Sequence, residues 1–364
     1  MDCESIHVID KPLDDLLCSL KYIPTNNYFN IIPVEIQKHI LSYLCISGTF
    51  ICAAVSENWK AILKNRLRHE EVMLGKHCSN VYECKENACF MPQEILSASI
   101  NHQLPISLSL CHPLMEIEAL MILKALRSTE NLTINGACCC KFSNIKGWDE
   151  VFDLEDTSLM STKQLEDLFR GIINRVGLME SIEIIGIDLT QVNKDILFTC
   201  LLTKIKRLTL DRGPAGGEIV NVDTLIKKLL QKSTDKSISH ITLVDIKYPE
   251  VLSDCMADAL CTVQHVEQSG YIGIGRKVIK RMFENILSPS KKVEIKSIIL
   301  RKIINMKSLI SADNLETVIN KMTVFSVKGK FTIGQLQVIK ALPDVKVEKT
   351  SAESLIYYIK KGTI

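Results

Sequence analysis

Between Met179 and Val347 the chain repeats one pattern, apolar-x-x-apolar-x-apolar, with stretches of helical apolar spacing between the copies. The copies are Met179-Ile182-Ile184, Ile205-Leu208-Leu210, Ile238-Ile241-Leu243, Ile295-Ile298-Leu300, Met322-Phe325-Val327 and Leu342-Val345-Val347. A weaker copy keeps Val263 and Val266 but has Gln268 in its last place, and Asn131-Leu132-Thr133-Ile134 reads as an earlier strand. Within each copy the alternation marks a strand buried on one face. The intervals 192–202, 222–230, 251–260, 278–286, 309–319 and 333–342 carry apolar residues three and four apart, as helices do. Steps of about 20 to 33 residues hold one strand plus one helix. A unit that small cannot bury its apolar face alone, so neighbouring units must stack. A doubly wound α/β domain would show the same alternation.

If the units stack, the residues between the buried strand positions lie on the sheet face away from the helices. They are Glu183, Arg207, Thr209, Asp211, His240, Thr242 and Ser297, continuing as Ile299, Arg301, Ser326, Lys328, Lys346 and Glu348. Both charge signs, several hydroxyls and one isoleucine make this a candidate target-binding surface for a protein.

A different pattern occupies Asn30 to Leu63. Pro33 stands where a helix begins, since its missing N–H costs nothing there. Glu35 follows in the first turn, where the helix dipole favours a negative charge. Ile36, Ile40, Leu41 and Leu44 recur as one apolar stripe, and Cys45 to Thr49, with Ser47-Gly48, reads as a break. Phe50, Ile51, Ala54 and Val55 make a second run, and Trp59, Ile62 and Leu63 a third. Three short helices carry more apolar surface than their mutual packing can cover, which marks a docking module.

The order Ile32-Pro33, Glu35-Ile36, Ile40-Leu41-Ser42-Tyr43-Leu44, Val55-Ser56, Trp59 resembles the F-box, through which substrate receptors dock onto the Skp-type adaptor of cullin–RING ubiquitin ligases. Two positions depart from the family pattern: Ile32 stands for its usual Leu, and Thr49-Phe50 for an acidic-Leu pair. The resemblance implies adaptor contacts at Ile32, Pro33, Glu35, Ile36, Ile40, Leu41, Leu44, Val55 and Trp59. The strand template in turn resembles a degenerate leucine-rich repeat. Near the Asn or Cys position of a regular repeat the chain has residues such as Ile187, Gly213 and Lys330. Together these imply an α/β chain, an N-terminal three-helix F-box followed by a leucine-rich-repeat-like solenoid with a curved parallel sheet inside and helices outside. The expected division is an N-terminal extension at 1–28, the F-box at 29–68, an irregular linker with opening repeats at 69–150, and the solenoid at 151–364.

Composition narrows the function classes. A net charge of +2 makes no general case for nucleic acid. No apolar run approaches the ~20 residues that span a bilayer, and Asp2, Glu4 and Asp10 sit where a signal peptide would be basic. Fourteen cysteines are scattered without paired spacing, which reads as reduced thiols in a cytoplasmic or nuclear protein. His77-Cys78, Cys84 and Cys89 fit no familiar zinc spacing, and three adjacent cysteines, Cys138-Cys139-Cys140, cannot readily ligate one ion together. No metal or cofactor is expected. Gly270-x-x-Gly273-x-Gly275 reverses the dinucleotide fingerprint, and Gly213-Pro214-Ala215-Gly216-Gly217 lacks the Lys-Ser/Thr of a phosphate loop. Neither a nucleophile elbow nor a His-Glu-x-x-His pair occurs.

The expectation is therefore a non-catalytic substrate-recognition subunit, partnered by a Skp-type adaptor, through it by cullin and RING subunits, and by a protein target. The alternatives are a solenoid scaffold without a ligase link and an α/β enzyme whose site the sequence hides.

Overall fold

A computed structural model describes residues 32–44, 46–69, 71–74, 92–110, 116–136, 160–213, 219–231, 236–270, 274–350 and 355–362. Its contacts divide the chain into two units, one of Met1–Ser109 with Met115–Glu130, the other of Leu110–Leu114 with Asn131–Ile364.

In the first unit, α1 (Val34–Ser42), α2 (Ile46–Val55) and α3 (Glu57–His69) are followed by β1 (Glu71–Leu74), α4 (Pro92–His102), β2 (Ile106–Leu110) and α5 (Glu116–Ala125). α3 packs on both α1 and α2, and α4 on α2 and α5. Phe50, Ala53, Leu63, Leu67 and Leu96 fill this core. The predicted break at Cys45–Thr49 is narrower than its Ser47-Gly48 suggested, because α2 already begins at Ile46 and runs through both. Tertiary packing overrides the poor helix propensity of Gly and Ser there. Within the segment expected to hold an irregular linker with opening repeats, residues 92–125 form helix, strand and helix.

The second unit is mixed α/β with a mostly parallel sheet. The division falls inside β3 (Thr129–Asn135). Then come α6 (Thr162–Ile173), β4 (Met179–Ile185), α7 (Lys194–Thr203), β5 (Ile205–Asp211), α8 (Val222–Leu230) and β6 (His240–Val244). A 3-10 turn at Glu250–Leu252 leads into α9 (Ser253–Leu260), then β7 (His265–Ser269), α10 (Arg276–Leu287) and β8 (Ser297–Asn305). The chain finishes with α11 (Ala312–Lys321), β9 (Val324–Lys330), α12 (Ile333–Ala341), β10 (Val345–Lys349) and β11 (Ile356–Lys361).

From β3 to β9 the strands lie parallel and in chain order, without the reversal that defines a doubly wound sheet. Registers run straight across. Leu132, Ile182, Leu208, Ile241, Val266, Ile298 and Phe325 form one row, each at most 1% exposed. Ile134, Ile184, Leu210, Leu243, Gln268, Leu300 and Val327 form the next. Against these rows pack the buried stripes of the helices, such as Leu165, Leu168, Phe169 and Ile172 of α6, and successive helices from α6 to α12 also touch one another. Every apolar position of the strand template in β4–β9 is buried. Gln268 satisfies its place by donating from Nε2 to the Ser269 carbonyl at 2.8 Å, as a buried amide must.

Five of the seven helices from α6 to α12 start on a side-chain cap, α9 and α10 being the exceptions. Ser161 and Gln164 form a capping box on α6, as do Thr332 and Gln335 on α12. Asn193, Asn221 and Ser311 cap α7, α8 and α11. Strand ends share a left-handed residue: Gly186 after β4, Asp245 after β6 and Gly270 after β7. A Cβ at Gly270 would lie 2.5 Å from the Asp245 carboxylate, so a side chain here would have to displace that carboxylate as well as strain the backbone.

The parallel succession stops at β9. β10 was predicted as its next parallel neighbour, yet β11 lies between them, antiparallel to both. Only a short connection separates β10 from β11, and a parallel pairing needs a crossover of about a dozen residues or more. Their closing hydrogen bond runs from the Thr350 N–H to the Ile356 carbonyl at 3.0 Å.

Candidate functional site

Each unit presents one candidate surface. In the first, Pro33 caps α1 with backbone alone. Its carbonyl accepts from the Ile36 and Gln37 amides at 3.0 and 3.1 Å. Gln37, Leu41 and Leu44 turn inward. Gln37 is buried, and its Nε2 donates to the Ile32 carbonyl at 2.8 Å. At the far end, the Arg66 guanidinium of α3 donates to the carbonyls of Leu41 and Leu44 at 2.7 and 2.6 Å. The Leu41 carbonyl also accepts from the Leu44 amide at 3.3 Å, and a cation beside the last carbonyls of α1 suits the helix dipole.

With that face held down, Ile36, Ile40 and Tyr43 share the outer side of α1, at 50%, 39% and 77% exposure. This splits the stripe read from the sequence. Ile36 and Ile40 belong to the exposed face, and Leu41 and Leu44 to the inner one. Of the other residues named for adaptor contact, Pro33, Glu35 and Val55 are exposed, Ile32 and Trp59 half-buried, and Leu41 buried, so Leu41 holds α1 in place. Ser56 caps α3: its Oγ accepts from the Trp59 amide at 3.3 Å. Hence the Val-Ser-x-x-Trp spacing positions a helix start. Thr49 and Phe50 are both fully buried, so the departure from the acidic-Leu pair lies in the core.

On the second unit's sheet, the face away from the helices carries two polar rows. Asn131, Ser181, Arg207, His240, His265 and Ser297 are in register, followed by Thr133, Glu183, Thr209, Thr242, Glu267, Ile299 and Ser326. The His240 and His265 rings stack with centroids 3.9 Å apart and 9° between planes. Desolvation pushes His240 down to about 4, with His265 and Arg207 adding to the effect and Glu180 opposing it. His265 is lowered too, by desolvation and then by Lys296. Glu180 sits below the usual carboxylate range because Lys206 donates to it at 2.9 Å, with Arg207 at 3.3 Å.

The expected face needs correction at three positions. Ser297, Ile299 and Ser326 are buried, at 0%, 9% and 7% exposure. Ser297 is small and flanked in register by His265 and Val324, which shade it. Ile299 lies between Glu267 and Ser326, and Ser326 itself meets the Tyr358 hydroxyl at 2.9 Å. Asp211 is tied to a turn, accepting from the Gly213 amide at 2.8 Å. Arg301 pairs with Glu267. Glu183, Arg207, Thr209, His240, Thr242 and Lys328 retain exposed surface, and Lys346 and Glu348 are exposed on β10.

Sequence reading passed over His265, Glu267, Tyr358 and Lys360. The first two lie on the weak copy at Val263–Val266, where carrying the register through would have found them. The other two lie on β11, whose Ile356-Tyr357-Tyr358-Ile359 run has strong strand propensity.

Candidate metal residues His77, Cys78, Cys84, Cys89 and Cys138–Cys140 lie outside the described residues, as do Gly216, Gly217 and Gly273. Among the described residues no group of three potential ligands converges, and no helix is long and apolar enough to cross a membrane. Cys200 and Cys261 are buried free thiols, and desolvation raises Cys261 to about 11.

No curated protein matches this chain in sequence. The F-box domain family matches residues 29–71, the segment that holds α1, α2 and α3. The chain thus carries an F-box domain at its α1–α3 helices.

Proposed function

We propose that the chain is a substrate-recognition subunit of a Skp–cullin–F-box ubiquitin ligase. The F-box domain docks it on the Skp-type adaptor, and through that on cullin and RING subunits. The open face of the β3–β9 sheet, read as a degenerate leucine-rich-repeat surface, holds a protein target. Ubiquitin chemistry is done elsewhere in the complex, because proteins with this domain are typically non-catalytic receptors. The mechanism is proximity: a tethered target meets the charged ubiquitin carrier at raised effective concentration.

The observation that carries this reading is the F-box match over 29–71 together with the exposed Ile36, Ile40 and Tyr43 stripe, apolar surface the helices' own packing leaves uncovered. Co-purification of the full chain with recombinant adaptor tests it. Wild type is expected to capture the adaptor and the Ile32→Ala/Pro33→Ala double variant to lose it. Capture unchanged by that pair would leave the reading of a scaffold without a ligase link.

A further inference from the structure

Charge is unevenly spread along this chain. From Lys291 to Ile364 there are fourteen Lys and Arg against six Asp and Glu, so the net +2 of the whole conceals a net acidic remainder. The registers gather part of this excess on one face. Ser326 lies opposite Lys360, Lys360 opposite Lys346, and Lys328 opposite Tyr358. Phe325 and Val327 occupy the helix-facing rows, so Ser326, Lys328 and Lys330 lie on the open face. Tyr358 joins them through its hydrogen bond to Ser326. Lys328, Lys330, Lys346 and Lys360 therefore surround Tyr358, with Glu348 opposite the tyrosine.

An edge role accounts for only one of these lysines. Lysine on an edge strand guards against edge pairing, which suits Lys346 on β10 at the end of the sheet, but Lys328, Lys330 and Lys360 lie on β9 and β11, which are flanked on both sides. Lys346 and Lys360 stand directly opposite each other, an arrangement that works against the sheet. Among the described residues none of the four has a carboxylate at ion-pair distance, whereas Arg301 nearby is paired with Glu267. Uncompensated like charge on a sheet interior is a local conflict of the kind proteins keep where a ligand relieves it.

We infer that this β9–β11–β10 patch binds an acidic stretch of the target polypeptide. The inference rests on the proposed receptor reading and names the class of segment received. Side-chain carboxylates of an extended segment would fall between the four ammonium groups, and the Tyr358 ring offers apolar contact between them. A nucleic acid fits less well, since the chain as a whole carries a net charge of only +2.

Fluorescence anisotropy of a short fluorescein-labelled Glu/Asp peptide against the full chain tests this. Binding is expected to weaken with salt, and about tenfold in Lys328→Glu/Lys360→Glu. Lys346→Glu separates function from folding. It replaces a repulsive pair with an attractive one, so the melting temperature should hold or rise while peptide affinity falls. Wild-type affinity in both variants would overturn the inference. So would equal binding of a Gln/Asn peptide, or preference for a single-stranded oligonucleotide or a phosphatidylserine vesicle. Adaptor capture is measured on the same preparations: if it persists while the peptide fails to bind, the fault lies with this inference, and if capture itself fails, with the receptor reading.

Discussion

The Arg66 guanidinium donates to the Leu44 carbonyl at 2.6 Å, tying the turn that follows α1 to the last turn of α3. A second donation, to Leu41, makes the contact bidentate. Arg66→Ala should cost about 1.5–3 kcal/mol, the range for a hydrogen bond from a charged group. Arg66→Lys should recover only part, because an ammonium lacks the planar fork. Thermal denaturation of the three proteins checks the order, and hydrogen exchange should show the loss concentrated in α1.

Leu41 and Ile40 are neighbours in sequence with opposite fates. Leu41→Ala removes a buried side chain and should destabilise the first unit by about 2–5 kcal/mol. Ile40→Asp changes an exposed position and should leave the melting temperature close to wild type. Denaturant titrations of the two variants test this division of roles. Equal stability losses would contradict the placement of α1.

Stacked neutral imidazoles at His240 and His265 make stability depend on pH. Both pKa values are lower in the folded chain, so between the ordinary histidine value and about 4 the unfolded chain binds more protons. Stability is therefore full above about pH 6.5 and falls as pH drops towards 4. Below that the paired carboxylate Glu180 protonates in turn and continues the loss. His240→Gln should flatten the melting-temperature profile between pH 6.5 and 4, while leaving the steeper fall at lower pH.

Gly270 occupies a left-handed conformation against Asp245. Gly270→Ala should cost about 1–3 kcal/mol, from the backbone and from displacing the carboxylate. Adding Asp245→Ala should recover the second part. A double-mutant cycle by chemical denaturation would show a coupling of the two positions.

Most of the second unit was legible because its strands bury one face in register. The same three template positions are apolar in copy after copy, and the stretches between them have helical period. β2 and the helices flanking it were not placed within the expected opening repeats because Ile106-Ser107-Leu108-Ser109-Leu110 stands alone and its serines are buried along with its aliphatic residues. β11 was missed because it breaks the repeat step. In the F-box the motif was readable but its faces were not. α1 carries apolar residues on two sides, and a buried Gln37 marks the inner one. Periodicity cannot choose between two stripes when a polar side chain, its Nε2 donating to the Ile32 carbonyl, sits among those facing in.

The central claim is that the outer face of α1 docks on a Skp-type adaptor. Calorimetric titration of purified adaptor into the full chain, wild type against Ile36→Asp/Ile40→Asp, tests it most directly. The account predicts a one-to-one complex for wild type, and for the variant no measurable heat with an unchanged melting temperature. Equal affinity for both proteins would contradict it.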